Sequence, residues 1–422
     1  QSNTSGVRII AIGAGAYDSS DTENDNMAIG HDAMTTNTAG GTGNLAIGNY
    51  TLDALTSGDY NVGVGLNVLS ANTTGGNNVA VGQAALLTNT TASDNTALGH
   101  YALLLNTTGD KNVAVGALAM DANTTGADNV AMGYGTLGLN TTGNLNVAIG
   151  KNALTANTDA TSNTAVGSGS MDANTTGAYN TAIGTDSLTE NTTGDFNVAL
   201  GRAAMQNNTT ADSNVAIGRN AMYANTTGTR NLAIGALAYD ASDTENDNIA
   251  IGHGAMTENT AGGTKNIAIG VYAMDALTSG DDNTGLGYAA LGALNTGSAN
   301  VGIGNNALDA HTSGNYNTAV GYGALTTNTT ADKNTAVGAN ALQANSTGTR
   351  NTAIGNTALY ANLANDNLGI GDQAGYSITT GTRNIAIGTN AYDDSDTESD
   401  NIAIGVNAMT TNTAGGTNNL AV

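Results

Sequence analysis

The sequence predicts an all-β chain: a parallel β-solenoid, or β-roll, of about 25 coils of roughly 17 residues each. Three observations lead there. A pentapeptide of the form Asn-x-Ala-Ile/Val-Gly returns at a fixed step along the entire chain. The composition, with 58 Gly, 0 Pro, 0 Trp and 1 Phe in 422 residues, is wrong for a globular core of this size, which uses more aromatics and puts proline in its loops. Hydrophobic residues still make up 40% and keep a regular beat, which a disordered chain does not.

The repeat is marked by the Asn that opens each pentapeptide, from Asn26, Asn44 and Asn61 through to Asn384, Asn401 and Asn419. There are 24 such units and an earlier one around Ile9–Gly13 that lacks the Asn. The usual step is that from Asn163 to Asn180 to Asn197; it lengthens by one at three places and shortens by one at a single place. Helical-hairpin repeats need more than about 30 residues, so this period excludes them. Numbering the coil from its Asn, Asn180 to Phe196 is a clean example.

The first element, Asn180-Thr181-Ala182-Ile183-Gly184, has β-branched alternation bounded by Asn and Gly and reads as a short strand. The second, around Ser187-Leu188, reads as another short strand. The third, Asn191-Thr192-Thr193-Gly194, is turn chemistry, because Asn and Gly tolerate positive φ and Thr bonds locally. A rise of about 4.8 Å per coil would make the array roughly 120 Å long. Absence of proline fits a chain whose N–H groups are committed to ladders.

Alternation then assigns faces. The aliphatics are expected inside, with Ile183, Leu188, Ile217 and Met222 as core. The opposite side of the strand stays Ala, or Gly at Gly63, Gly285, Gly302 and Gly369. Residues kept that small imply a close approach by another surface, taken here as a neighbouring chain. The opening Asn residues, including Asn163, Asn180, Asn197 and Asn214, are expected to form a ladder of side-chain amides.

No domain boundary interrupts the array, so residues 1-422 read as one continuous solenoid, a segment of a longer fibre protein that continues past Val422. The block that starts at Ala16 recurs at Ala238 and, diverged, at Ala391, which points to segmental duplication.

A formal charge of −24 argues against nucleic acid and against anionic lipid. With 0 Cys there are no disulfides, thiolate metal sites or cysteine nucleophiles. No apolar run is long enough to span a membrane, and Gln1 opens no charged-then-apolar segment, so any export signal is expected to have been removed or not included. No HExxH, GxSxG or phosphate-binding loop occurs, so neither enzyme nor cofactor is expected. His31, His100 and His253 share one repeat position and, with His311, read as structural or solvent-facing.

The Asn-x-Ala-Ile/Val-Gly motif followed by Ala-Leu/Met resembles the head repeats of trimeric autotransporter adhesins, the YadA-like β-roll. With its Asn-Thr-Thr-Gly turn it is also similar to repeats of bacterial surface proteins and phage tail-fibre proteins. The resemblance covers essentially the whole chain. It implies a left-handed roll, a parallel homotrimer and an extracellular place on a cell or virion surface. The coil here is longer than in those heads, with Asn-Thr-Thr-Gly where they carry Ser and Ala.

The function expected is therefore an adhesive or structural fibre shaft that gives multivalent attachment, its partners being itself and an unidentified surface receptor. One alternative is an ice-binding solenoid using stacked Thr pairs such as Thr192-Thr193 and Thr209-Thr210; another is a tail-fibre spacer with no binding of its own. Acidic turns replace Asn-Thr-Thr-Gly at Asp18, Asp21, Glu23 and Asp25, at Asp240, Asp243, Glu245 and Asp247, and at Asp393, Asp394, Asp396, Glu398 and Asp400. They read as solvated turns, with weak calcium binding as the other option. Asn72, Asn106, Asn123, Asn174 and Asn225 open formal glycosylation sequons, expected to be empty in a bacterial or viral product.

Overall fold

A computed structural model describes residues 6–19, 23–393, 397–410 and 416–422. The chain is an all-β parallel solenoid, with no helix among the described residues. By internal contacts it divides into two compact units, Gln1–Asp212 and Ser213–Val422. The first carries β1 (Ile10–Ile12) to β12 (Val198–Leu200), and the second carries β13 (Val215–Ile217) to β25 (Leu420–Ala421).

Each coil contributes one short strand, the second to fourth residues of the pentapeptide, centred on Ala or Gly; β25 stops at the Ala. Strands of successive coils pair in parallel and like lies over like. Thr181 sits between Thr164 and Val198, Ala182 between Ala165 and Ala199, Ile183 between Val166 and Leu200. A coil lengthened by one residue keeps this register, with Ile249 opposite Ile267, and so does the shortened coil, with Thr352 opposite Leu368.

The expected second strand is absent: residues 185–190 form turns. Asp186, Leu188 and Phe196 all have φ between 52° and 59°, and the seventh, ninth and seventeenth positions of other coils repeat this. A left-handed residue other than Gly costs roughly 1–2 kcal/mol. The offset is visible locally. Asp186 N–H donates to Ser168 O (3.1 Å), Leu188 N–H to Ala204 O (2.9 Å) and Phe196 N–H to Ala178 O (3.2 Å). Left-handed residues thus turn the chain sharply while aiming their N–H groups along the stack, as strand residues do.

The faces are the reverse of those expected. Strand alanines such as Ala165, Ala182 and Ala216 are fully buried, whereas Ile183 is 40% exposed and Ile217 half-buried. Ile183 and Ile217 are therefore not core; Leu188 and Met222, fully buried, are. The physical reason is width. Leu188 crosses the interior of the coil and leaves the strand room for little more than a methyl group. A close approach does keep the strand centre small, but the approaching group belongs to the same chain. A Cβ on Gly63 would lie 2.7 Å from the Thr51 methyl, on Gly285 3.0 Å from the Met274 methyl, and on Gly369 2.8 Å from Leu359 Cγ.

The fifth-position glycine is fixed by a second constraint. Gly184 has φ +144, and a Cβ there would sit 2.4 Å from the Gly201 carbonyl oxygen of the next coil.

Candidate interaction surfaces

The polar interior determines what is left for the surface. The structure places Asn163, Asn180, Asn197 and Asn214 inside the coils, at most 1% exposed. Asn180 N–H donates to Asn163 Oδ1 (2.9 Å) and Asn197 N–H to Asn180 Oδ1 (2.8 Å). The side-chain oxygen takes a backbone N–H from the next coil, and in other coils the expected amide-to-amide bond is made as well, Asn61 Nδ2 donating to Asn44 Oδ1 (3.1 Å) and Asn146 Nδ2 to Asn129 Oδ1 (3.2 Å). The amide nitrogen also crosses the coil: Asn163 Nδ2 donates to Gly177 O (2.8 Å), Asn180 Nδ2 to Gly194 O (2.8 Å), Asn197 Nδ2 to Ala211 O (2.7 Å) and Asn214 Nδ2 to Gly228 O (2.7 Å).

A second amide ladder occurs where the sequence suggests only a turn, at the twelfth position. Its members from Asn72 to Asn208 are fully buried, and each after the first donates from Nδ2 to the Oδ1 one coil back at 2.7–3.3 Å. Asn191 Nδ2 also reaches Gly194 O (3.1 Å), so that one carbonyl accepts from both Asn columns. The available signal was the exchange of this Asn for Leu55, Leu277, Leu294 and Ile378, apolar residues that a solvated turn would not select. Burial also removes the sequons from use: Asn72, Asn106, Asn123, Asn174 and Asn225 are fully buried with Nδ2 already bonded, so glycosylation would require the coil to open.

The acidic turns are not uniformly solvated. Asp18 and Asp243 are exposed and Asp240 is half-buried, its carboxyl pushed up by burial. Asp21, Asp394 and Asp396 lie outside the described residues. Glu23 and Glu245 are 2% exposed. Glu245 Oε2 accepts from Ser242 Oγ (2.7 Å), Asp243 N–H (3.1 Å) and Thr244 N–H (3.1 Å), and Oε1 accepts from Gly262 N–H (3.0 Å). Gly40 N–H reaches Glu23 Oε1 in the same way (3.1 Å). A carboxylate ringed by donors is a built anion cradle, already filled by the chain; a cation would face those N–H groups. Among the described residues, no three His, Asp or Glu converge on a metal-sized site.

Tyr239 replaces Leu or Met in this coil, its hydroxyl accepting from Asn248 Nδ2 (2.6 Å) and Asn259 Nδ2 (3.2 Å); burial pushes its phenol well up. His311 occupies the twelfth position, fully buried, with Nε2 2.8 Å from Gly314 O, and burial pushes its imidazole down. The other three histidines are solvent-facing, His31 and His253 lying edge-on to Tyr50 and Tyr272.

Three of the outer columns bear on what the surface can do. Thr of the thirteenth position is not free: Thr175 Oγ1 donates to Thr192 O and Thr192 Oγ1 to Thr209 O, both at 2.9 Å. Its neighbour Thr193 is exposed, a single file and not the paired Thr array that ice binding would use. The sixteenth position accepts from the coil before, as in Ala178 N–H to Asp195 Oδ1 (2.7 Å) and Thr264 N–H to Asp281 Oδ1 (2.8 Å). Part of the acidic excess is thus a set of axial acceptors. Asn144 and Asn246 serve identically.

The third is the outer face of the strands. None of the strands β1 to β24 places a charged residue at either outward position; each is aliphatic or Thr. Met132, Ile183, Leu200, Leu286 and Ile354 on this face are each at least 40% exposed. No helix of the described residues is long and apolar enough to cross a membrane. No protein-family model matches the chain, and no curated protein matches it.

Proposed function

We propose that this chain is a non-enzymatic structural and adhesive fibre element of a bacterial or phage surface, extracellular and self-associating as a homotrimer or lateral assembly. The observation that carries the reading is the register: like residues of successive coils lie opposite one another, so any weak contact made by one coil is repeated by the next. Contacts repeated on one backbone raise avidity by orders of magnitude with no deep pocket. Glu245, His311 and Tyr239 are turned inward and serve the fold.

The test is to coat beads with the chain and measure their detachment under flow from epithelial monolayers, glass and chitin. Retention well above bare beads on at least one of them supports adhesion. Release from all three at the bare-bead rate, with the β-signature intact, rejects adhesion and leaves the spacer role.

A further inference from the structure

We infer that Glu23, Glu245 and Glu398 act as clasps: each holds the corner of the coil that follows it, which is one residue longer than usual, and so keeps that corner closed to proteases. The clasp is independent of what the chain attaches to. Three observations converge on it.

The first is co-occurrence. Three residues before the opening Asn, every coil carries Gly or Ala except where Glu23, Glu245 and Glu398 stand. The coils that these three precede, opened by Asn26, Asn248 and Asn401, are the three lengthened ones. The Glu coils are also the only ones with Tyr at the ninth position, and the Tyr17, Tyr239 and Tyr392 hydroxyls accept from Nδ2 of those same opening Asn residues at 2.6–2.8 Å. Acid, tyrosine and insertion travel together.

The second is bonding. A residue added at a corner brings an N–H that the coil-to-coil pattern does not provide for. Gly40 and Gly262, at φ +103 and +102, donate theirs to the carboxylate of the preceding coil, at Glu23 Oε1 (3.1 Å) and Glu245 Oε1 (3.0 Å). The Glu245 carboxylate is itself anchored, since its Oε2 accepts from Ser242 Oγ and from the Asp243 and Thr244 N–H groups. A charged acceptor makes roughly twice as strong a bond as a neutral one. Residues 411–415, which follow Glu398, lie outside the described residues, so its clasp rests on the co-occurrence.

The third is room. Beside an ordinary coil, Ala is the largest residue found at the Glu position. A Cβ on Gly177 would lie 2.5 Å from the Gly194 carbonyl oxygen of the next coil, and one on Gly109 2.2 Å from that of Gly126. Beside a lengthened coil the whole Glu245 side chain fits, 2% exposed. The insertion supplies space and the carboxylate supplies the acceptor, so each requires the other. Exposed Gly-rich corners are where chains are nicked, and nicking needs the corner to open first.

The experiment digests the full native chain, Glu245→Gly, and Glu245→Gly with Gly262 removed, using a protease that cuts after small residues, and maps the cuts by mass spectrometry. The native chain should resist at both corners. Glu245→Gly should be cut within residues 260–264 about tenfold faster, while residues 38–42, still clasped by Glu23 in the same molecule, stay intact. Removing Gly262 from that variant leaves a corner of ordinary length and should restore resistance. Removing Gly262 with Glu245 kept crowds the carboxylate and should melt the chain at a lower temperature than the double change. Should Glu245→Gly lose its β-signature, Glu245→Gln, which keeps the size and loses the charge, replaces it and should be cut at the same corner. Cleavage of 260–264 at the native rate, equal cleavage of both corners, continued cleavage once Gly262 is gone, or equal melting with and without Glu245 after its removal each overturns the proposal.

Discussion

The two units fold the same repeat around different twelfth-position columns. In Gln1–Asp212 the amides from Asn72 to Asn208 bond from coil to coil without a break. In Ser213–Val422 the column is interrupted by Ser242, Leu277, Leu294, His311 and Ile378. Where Asn persists there, it closes on its own corner: Asn345 Nδ2 donates to Gly348 O (2.9 Å) and its Oδ1 accepts from Gly348 N–H (2.8 Å). At one interruption the His311 imidazole takes the amide's place, with Asn328 of the next coil as its hydrogen-bonding neighbour. One fold is therefore stabilised in two ways, by polar coupling along the axis or by apolar filling and local closure. A buried polar column is favourable only when every member is satisfied.

The largest effect should come from breaking the continuous column with a charge. Asn140→Asp puts a carboxylate against Asn123 Oδ1, where Asn140 now donates (2.8 Å). The expected loss is about 3–5 kcal/mol at pH 7. Because such a carboxyl would titrate above its unfolded value, folding takes up a proton, and stability should return as pH falls toward that raised value. Thermal melts at pH 7 and 5 decide it; equal losses at both would mean that the column is not the cause.

Next comes the apolar filling. Leu294→Ala should cost about 2–4 kcal/mol through the cavity it opens, whereas Leu294→Asn, which restores the commoner residue, should cost much less. Backbone hydrogen exchange of peptides from these coils reports the difference. Equal exchange in the two variants would show that Leu294 contributes no packing.

The sequence made the repeat legible, along with its single reliable strand and the burial of Leu188 and Met222. It did not make the faces legible. In so short a strand, alternation puts two side chains on one side and one on the other, and hydrophobicity favours the pair for the interior. The decisive fact is the bulk of Leu188 lying across the coil, which depends on left-handed turns at Asp186 and Leu188 that no residue preference advertises. For the same reason, Asn191 looked like a turn residue although its side chain lies inside.

His311 offers a pH-dependent contrast between the units. Burial lowers its folded pKa, so the unfolded chain binds more protons in acid. The stability it contributes is present above the unfolded value of about 6.5 and is lost as pH falls below it. Between pH 8 and 5 the native chain should lose more stability than His311→Asn. The raised carboxyls Asp53, Asp121, Asp240, Asp275 and Asp309 act in the opposite sense, but nearer their own lower range. Parallel melts of the two proteins at both pH values should diverge only in acid; curves that stay parallel would rule out the imidazole as the source.

The smallest effects belong to the axial acceptors and surface ion pairs. Asp195→Asn keeps the acceptor for Ala178 N–H and should change little, while Asp195→Ala should cost about 1 kcal/mol. Arg230 and Arg350, paired with Asp247 and Asp366 at 2.6 Å on the surface, should each change the melting temperature little when replaced by Ala. A large loss in melting temperature from either Arg would contradict that ranking.

The shortened and lengthened coils carry a consequence for how such a chain changes over time. Both length changes fall between the twelfth-position Asn and the next opening Asn, and the cross-coil bond follows them. Asn351 Nδ2 reaches back to Ala364 O, one position sooner than the usual partner, and Asn248 Nδ2 to Gly263 O, one position later. Strand register is untouched at either place. At Gly262, φ +102 with open space where a side chain would begin, the added residue bulges outward. Insertion and deletion, which would slip an ordinary sheet, are absorbed here at one corner. That corner is where a foreign peptide could be grafted, once per coil, without disturbing the stack.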